Sequence, residues 1–536
     1  MRTFRGETLK LEIWRVLVVL QSLSLAISII MGRLPERKVE QRETAGAGSS
    51  ASDNSQFLAP EAIRRPSPAR RTLSRISTTS NVPYKVYKRR FFGLAQLVLL
   101  NIVVSWDWIA FAPVSSTSAQ YFHTTETNIN WVSTAFLFAF CITTPATFYV
   151  LHKHGPKTAI IIAASLLLVG NWIKYGATKA NNFAGVMVGQ LIIGFAQPFV
   201  LSSPTSYSNI WFSPAGRTTA TALASLSNPF GAALGQLISP FWAKKPSDIP
   251  NMILYISIIS SVACVPAFFI PAKPPTPPSA GSVPDHMDRA SLTKDLRILS
   301  RSVEFYLMFI PFVVYVGFFN AFSSLINQIL EPYGSSETDA GIAGAVLIVV
   351  GLVCAAISSP IIDRYKCYLW YIRCAIPFLA IGYLIIIWAP QSHSLAYVDV
   401  VCAILGAASF GLVPVVLEFL VEIHYPLGPE LGSSLCWCGG QLLGGIFIVI
   451  MTALKHGKDA SPPQNMKRAL IFQAVLAISV APLPLCLGLF GRRAQVRKLR
   501  WEADRNNEAH FEQVVEELDH DEQTIDVEPT SPARGI

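Results

Sequence analysis

The residues of this chain with chemistry to offer are carboxylates, amides and indoles set inside long apolar tracts. Asp107 lies in NIVVSWDWIAFAP, between Trp106 and Trp108. A lone carboxylate in hydrocarbon is costly and persists only when hydrated, hydrogen-bonded or neutralised by a cation. Two readings of Asp107 stand: a group at the membrane interface, or one that faces an internal cavity. Trp106 and Trp108 point about 200° apart on a helix, so at most one faces a cavity squarely. Both also suit an interfacial aromatic belt. Gln197, in GQLIIGFAQPFV, precedes Pro198, which sets an amide beside a helix-bending residue. Gln441, in CWCGGQLLGG, has the same character late in the chain, and Asn320 stands in VGFFNAFSSLINQIL. Each amide suits either a polar ligand or a hydrogen bond between helices. Glu418 and Glu422, in VLEFLVEIHYP, share a helix face. With the charged turn Asp363, Arg364 and Lys366, they suit ionic gating at helix ends better than ligand contact.

Other chemistries lack their residues. His152 and His154 point apart if helical, and no histidine–acid cluster has the spacing of a metal site. No GxxxxGK[ST] segment exists to cradle a nucleotide, so any work must draw on gradients of solute or ion. No cofactor is expected, and no catalytic constellation. The nine cysteines form no CxxC pair and read as small buried hydrophobes. The net charge of +9 comes from basic residues that flank apolar tracts, which marks membrane orientation rather than nucleic-acid contact.

The elements that must position these groups are membrane helices. Of 536 residues, 51% are hydrophobic and 14% charged, against roughly 25% charged in soluble domains. Mean hydropathy is +0.41. Apolar stretches recur at 92–112, 131–150, 157–173, 184–207, 217–240, 251–270, 304–329, 340–361, 370–389, 396–420, 432–454 and 469–490. Most match the roughly 20 residues a helix needs to cross hydrocarbon. They lack the alternation of barrel strands. The expected fold is an all-α membrane protein of twelve helices in two six-helix bundles, 87–271 and 304–493. A Pro-rich polar linker, 272–303, divides the bundles. Residues 1–86 form a basic tail with a short apolar run at 16–31, which suits an interfacial helix or an unstructured segment; 494–536 form an acidic tail. Lys85, Lys88, Arg89 and Arg90 precede the first span, and Arg492, Arg493, Arg497, Lys498 and Arg500 follow the last. By the positive-inside rule both tails and the linker are cytoplasmic, so the turns at 113–130 and 331–340 are external. Two bundles of this kind suit a carrier that rocks about a site at the bilayer midplane.

Several stretches carry a resemblance: YKRRFFGLAQLVLLNIVVSWDWIAFAPV, NINWVSTAFLFAF, FAQPFVLSSPTSYSNIWFSPAGRTTATALASLSNPFG, FFNAFSSLINQIL and LEFLVEIHYP. They resemble the feline leukaemia virus subgroup C receptor-related transporters, a branch of the major facilitator superfamily. The resemblance runs over roughly residues 87–493. The superfamily signature GxxxDRxGR is poor in LHKHGPK and partly kept in DRYK. The resemblance implies facilitated transport of choline and ethanolamine, by a family once described as haem exporters. It further implies a cavity lined by Trp108, Gln197, Asn320 and Gln441, where Asn320 replaces an aromatic residue and Asp107 replaces an uncharged one. Losing a ring and gaining a carboxylate moves the balance from aromatic faces toward charge pairing. The expected partners are a small cationic solute and the lipid bilayer of the plasma membrane, with the protein acting as a monomer. Two alternatives are an exporter of haem or another amphipathic anion, and a receptor or scaffold that keeps the carrier fold. The anion reading needs basic residues toward the cavity, and no Arg or Lys is expected to be buried in a span except Lys174 and Arg373, near span ends.

Overall fold

The computed structural model describes residues 87–276, 289–365, 367–424, 427 and 429–489. The tails, with their apolar run at 16–31 and their acidic segment, lie outside the described residues. So do Lys366 and linker residues 277–288.

Helices account for nearly everything described. They are α1 (Arg89–Ile109), α2 (Ser115–Tyr121), α3 (Glu126–Lys179), α4 (Phe183–Trp211), α5 (Pro214–Trp242), α6 (Ile249–Cys264) and α7 (Arg289–Arg301). Then follow α8 (Val303–Leu330), α9 (Glu337–Tyr365), α10 (Tyr368–Ile385), α11 (Leu395–Ile423), α12 (Pro429–Ala453), α13 (Lys467–Val480) and the single turn α14 (Pro482–Leu485). Ten of the described helices are long and apolar enough to cross a membrane. The chain is therefore an all-α, multi-span membrane protein.

Local chemistry sets the helix starts. Thr125, Asn182, Ser302 and Ser394 each accept a hydrogen bond from the backbone N–H three residues on, which satisfies a donor the helix itself leaves open. Glu126, Glu304 and Glu337 add negative charge to first turns, where the helix dipole favours it.

Two departures from the sequence expectation concern spans. The stretches 131–150 and 157–173 run together as α3, whose 54 residues would measure about 80 Å if straight. The backbone breaks at Gly155, with φ 77° and ψ 177°, a region open in practice to glycine alone. The stretch 217–240 forms α5, but its small and polar residues leave it outside the ten most apolar helices. Two further helices lie where polar connections were expected. The turn at 113–130 contains α2, which buries Ser115, Thr117, Ser118 and Ala119. The described end of the linker forms α7.

Packing falls into two groups. In the first, α1 lies against α4, α5 and α6, and α3 lies against α4 and α6. In the second, α8 lies against α12, α9 against α11, and α10 against α11 and α13. The groups meet along two seams, α5 with α9 and α3 with α12. Glycines let these helices approach closely: a Cβ at Gly406 of α11 would strike the Leu347 carbonyl of α9, and one at Gly231 of α5 would strike that of Ile102 in α1.

Candidate functional site

The groups singled out from the sequence divide between the interior of the first group and the seam. Asp107 is in the interior. Asp107 and Lys174 both have 0% side-chain exposure, and Lys174 Nζ meets Asp107 Oδ1 at 2.6 Å. Asn171 Nδ2 donates to Asp107 Oδ2 at 2.7 Å and to Ser260 Oγ at 3.0 Å. Gln190 Nε2 donates to the Asp107 carbonyl at 3.0 Å, and its Oε1 takes Lys174 Nζ at 3.4 Å. Four helices, α1, α3, α4 and α6, thus share one polar network. The sequence reading had Asp107 near a cavity, where its charge would favour a cationic solute; in this structure both of its oxygens have partners within the first group. Its cation is supplied by the chain itself, and its second oxygen is taken by an amide.

The two indoles flanking Asp107 part company as the helical spacing requires. Trp106 stacks on Trp242 of α5, with ring centroids 5.6 Å apart. Trp108 stacks on Phe136 of α3 at 6.4 Å, and its carbonyl accepts Ser133 Oγ at 3.4 Å. From Phe136 the contacts continue to the second group. A Cβ at Gly444 of α12 would touch both Asn320 of α8 and Leu137, the neighbour of Phe136. Asn320 Nδ2 donates to Gln441 Oε1 at 2.7 Å. Gln197 stands one turn after Gly194, a glycine pressed against Ala139 and the backbone of Phe136. Trp108 of α1 and Gly194 of α4 thus pack on Phe136, while Asn320 of α8 and Gly444 of α12 come together beside the neighbouring Leu137.

The hydrogen bonding of these four differs by side. Asn320 and Gln441 share one hydrogen bond, from the Asn320 amide to the Gln441 oxygen. Trp108 Nε1 and Gln197 Oε1 are buried and have no partner. A buried donor or acceptor left open costs about 1–3 kcal/mol, so such an atom marks where a ligand or water belongs. Trp108 and Gln197 thus leave one N–H donor and one amide oxygen open. Nearby, Cys141 Sγ lies 3.4 Å from the Cys438 carbonyl across the same seam. Among the described residues no cluster of His, Cys, Asp and Glu can hold a metal.

The expected gating residues lie at the end of the molecule opposite α2. Glu422 is buried and Glu418 half-buried, both interacting with neighbours. Arg364 is exposed in the last turn of α9. Asp363 stands beside it on the helix, its side chain outside the described set.

The α2 end, which the sequence reading marked only as external turns, holds a second polar assembly. Asn130 exchanges hydrogen bonds with Gln328 and donates to Thr452 Oγ1. Lys455 Nζ meets Glu126 Oε2 at 2.6 Å. Gln236 Nε2 donates to the Ser323 carbonyl at 2.7 Å. Each contact joins the two groups of helices. The available signal was the recurrence of Glu126, Glu331 and Glu337 at the starts and stops of successive spans.

The model of the Major Facilitator Superfamily matches residues 97–427. Solute carrier family 49 member A3 of Danio rerio is 29% identical over 86% of this chain and 98% of its own length. Choline/ethanolamine transporter FLVCR2 of Homo sapiens is 26% identical over 68% of this chain and 72% of its own. Among solved structures, the nucleoside transporter NupG superposes with a TM-score of 0.57 at 12% identity, covering 74% of this chain and 99% of that one. That likeness concerns the fold alone.

Proposed function

Because the chain belongs to the Major Facilitator Superfamily, and within it to the solute carrier family 49 branch that includes the feline leukaemia virus receptor-related transporters, we propose that it carries choline, ethanolamine or a related small amine cation by alternating access. As a member of that branch it is a membrane transporter of small solutes and not an enzyme. In the proposed arrangement there are twelve crossings, because Gly155 divides α3 into two spans and α5 adds another. Residues 87–271 and 304–493 form two six-helix bundles that rock about the α3–α12 and α5–α9 seams. Both tails face the cytoplasm, the α2 end faces outward and is closed here, and the membrane is the plasma membrane.

The observation that supports the substrate reading is the pair of unpartnered buried atoms, Trp108 Nε1 and Gln197 Oε1, on helices that pack against Phe136, with the Asn320–Gln441 hydrogen bond joining α8 and α12. A quaternary ammonium is held by ring faces, each worth about 0.5–2 kcal/mol. The Gln197 oxygen accepts from the hydroxyl of choline or the ammonium of ethanolamine. With Asp107 held by Lys174, cation selectivity rests on rings and amide dipoles rather than on a carboxylate. That favours a quaternary amine over the charge-paired amines the sequence alone suggested. The anion reading loses support for the same reason. Lys174 is bound to Asp107, and Arg373 donates to the Leu487 carbonyl at 2.8 Å.

The test is binding and uptake of labelled choline and ethanolamine by purified protein in vesicles. Trp108→Ala is expected to weaken binding roughly five- to thirtyfold, the equivalent of about 1–2 kcal/mol. Gln197→Ala and Gln441→Ala should each weaken it by a smaller factor. Unchanged binding in all three, at normal folded yield, would remove the site.

A further inference from the structure

Of the nine cysteines, Cys264, Cys402 and Cys436 are buried, as small hydrophobes should be. Cys141 and Cys438 are only half-buried, and they stand on opposite sides of the seam between α3 and α12. The Cys141 thiol donates to the Leu137 carbonyl of its own helix and to the Cys438 carbonyl of α12, each at 3.4 Å. That second oxygen is two bonds from the Cα that carries the other thiol. The helices run close here because α12 offers glycines. A Cβ at Gly445 would come within 2.6 Å of the Phe138 ring, and one at Gly444 within 3.2 Å of Leu137.

A disulfide asks for Cα atoms roughly 4.4–6.8 Å apart and Cβ atoms about 3.5–4.5 Å apart. A thiol that already touches its partner's peptide group meets that demand by rotation about χ1 and a small slide of one helix. The position matters as much as the reach. Cys438 precedes Gln441 by three residues and Cys141 follows Leu137 by four, so the pair lies one turn from the proposed substrate residues. Farther along the same seam, Asn130 is bonded to Thr452 and Glu126 to Lys455.

We infer that Cys141 and Cys438 form a peroxide-sensitive disulfide that ties α3 to α12 and holds the carrier in the form seen here. Hydrogen peroxide is small and uncharged, so half-burial within a membrane protein does not exclude it. One thiol, as its thiolate, attacks a peroxide oxygen; the O–O bond breaks, hydroxide leaves, and a sulfenic acid remains. The second thiol attacks that sulfur and displaces water as the S–S bond forms. In sum two thiols and one peroxide give one disulfide and two waters, with two electrons passing from sulfur to oxygen. A dithiol reductant reverses the step by exchange. Alternation requires the two groups to change their contacts along this seam. A covalent bond of about 2.0 Å in place of a breakable 3.4 Å contact prevents that.

The inference rests on the alternating-access reading above, and two readouts separate them. Full-length protein in vesicles is treated with hydrogen peroxide, quenched with an alkylating agent and digested without reduction. A peptide pair joined through Cys141 and Cys438 is expected, and it should vanish after dithiothreitol. Choline uptake should fall about fivefold or more on oxidation and return on reduction. Cys141→Ser and Cys438→Ser should each keep their uptake in peroxide, and the two alanine variants should match them, which guards against a folding defect in either. Independently of any substrate, backbone amides at 126–137 and 445–453 should exchange with solvent about threefold or more slowly in the oxidised protein. Recovery of the two peptides unlinked, whether alkylated or oxidised beyond the sulfenic acid, would overturn the inference. So would a linked pair with uptake and amide exchange unchanged. A reduced protein that carries no choline would remove the substrate reading alone, since the linked peptide and the slowed exchange still decide the latch.

Discussion

Removing one member of the Asp107–Lys174 pair strands the other as an uncompensated charge without water, which costs about 3–5 kcal/mol, whereas removing both leaves neutral groups of similar volume. Asp107→Asn and Lys174→Met are each expected to lower the melting temperature of detergent-purified protein sharply. The double variant should recover most of the loss. Equal, additive losses would mean that the two residues act through Asn171 and Gln190 separately rather than on each other. The sequence showed that Asp107 was expensive, and the three ways such a residue survives included neutralisation by a cation. What it did not show was which cation. Lys174 sits in another helix, and no periodic pattern links the two. The signal was there in a different form, since a basic residue inside NWIKYG is as costly as an acid inside SWDWI, and two opposite costs within one bundle are relieved together. The four residues taken from the family resemblance were placed by their motifs. That Asn320 donates to Gln441 while Trp108 Nε1 and Gln197 Oε1 stay open depends on rotamers, which a sequence does not display.

At the scale of elements, apolar length pointed to a multi-span helical protein, and ten of the described helices are long and apolar enough to cross a membrane, because hydrocarbon thickness is a hard constraint on helix length. Glycine contacts decide how near the helices come. A methyl group at Gly406 would meet the Leu347 backbone, which cannot rotate away, whereas one at Gly176 would meet nothing. Gly406→Ala should therefore cost about 1–3 kcal/mol as overpacking, while Gly176→Ala should be neutral or stabilising by up to about 1 kcal/mol. Thermal melts of the two variants check the contrast. The helices α2 and α7 escaped notice for a common reason. Both are short and polar, and α2 is ordered by contacts with Glu337 and Asn327 that lie some 200 residues away in the chain.

Over the whole molecule, orientation follows from charge, and it is the most direct property to check. Epitope tags at positions 60, 285 and 510 should resist protease added outside intact cells and become sensitive on permeabilisation. An exposed central tag would reverse the relation between the two groups. The turn at Gly155 bears on how those groups could move. The two arms of α3 are joined there by one residue in a conformation that a larger side chain resists, with no slack loop between them. The first arm carries Asn130, Leu137 and Cys141 on the seam with α12, and the second carries Asn171 and Lys174 into the ionic network at the heart of its own group. Such a hairpin behaves mechanically as a bell crank. A tilt imposed on the seam arm becomes a torque on the other, and because that arm is anchored by charge to α1 and by hydrogen bonds to α6, the first group should swing as one stiff body rather than flex helix by helix.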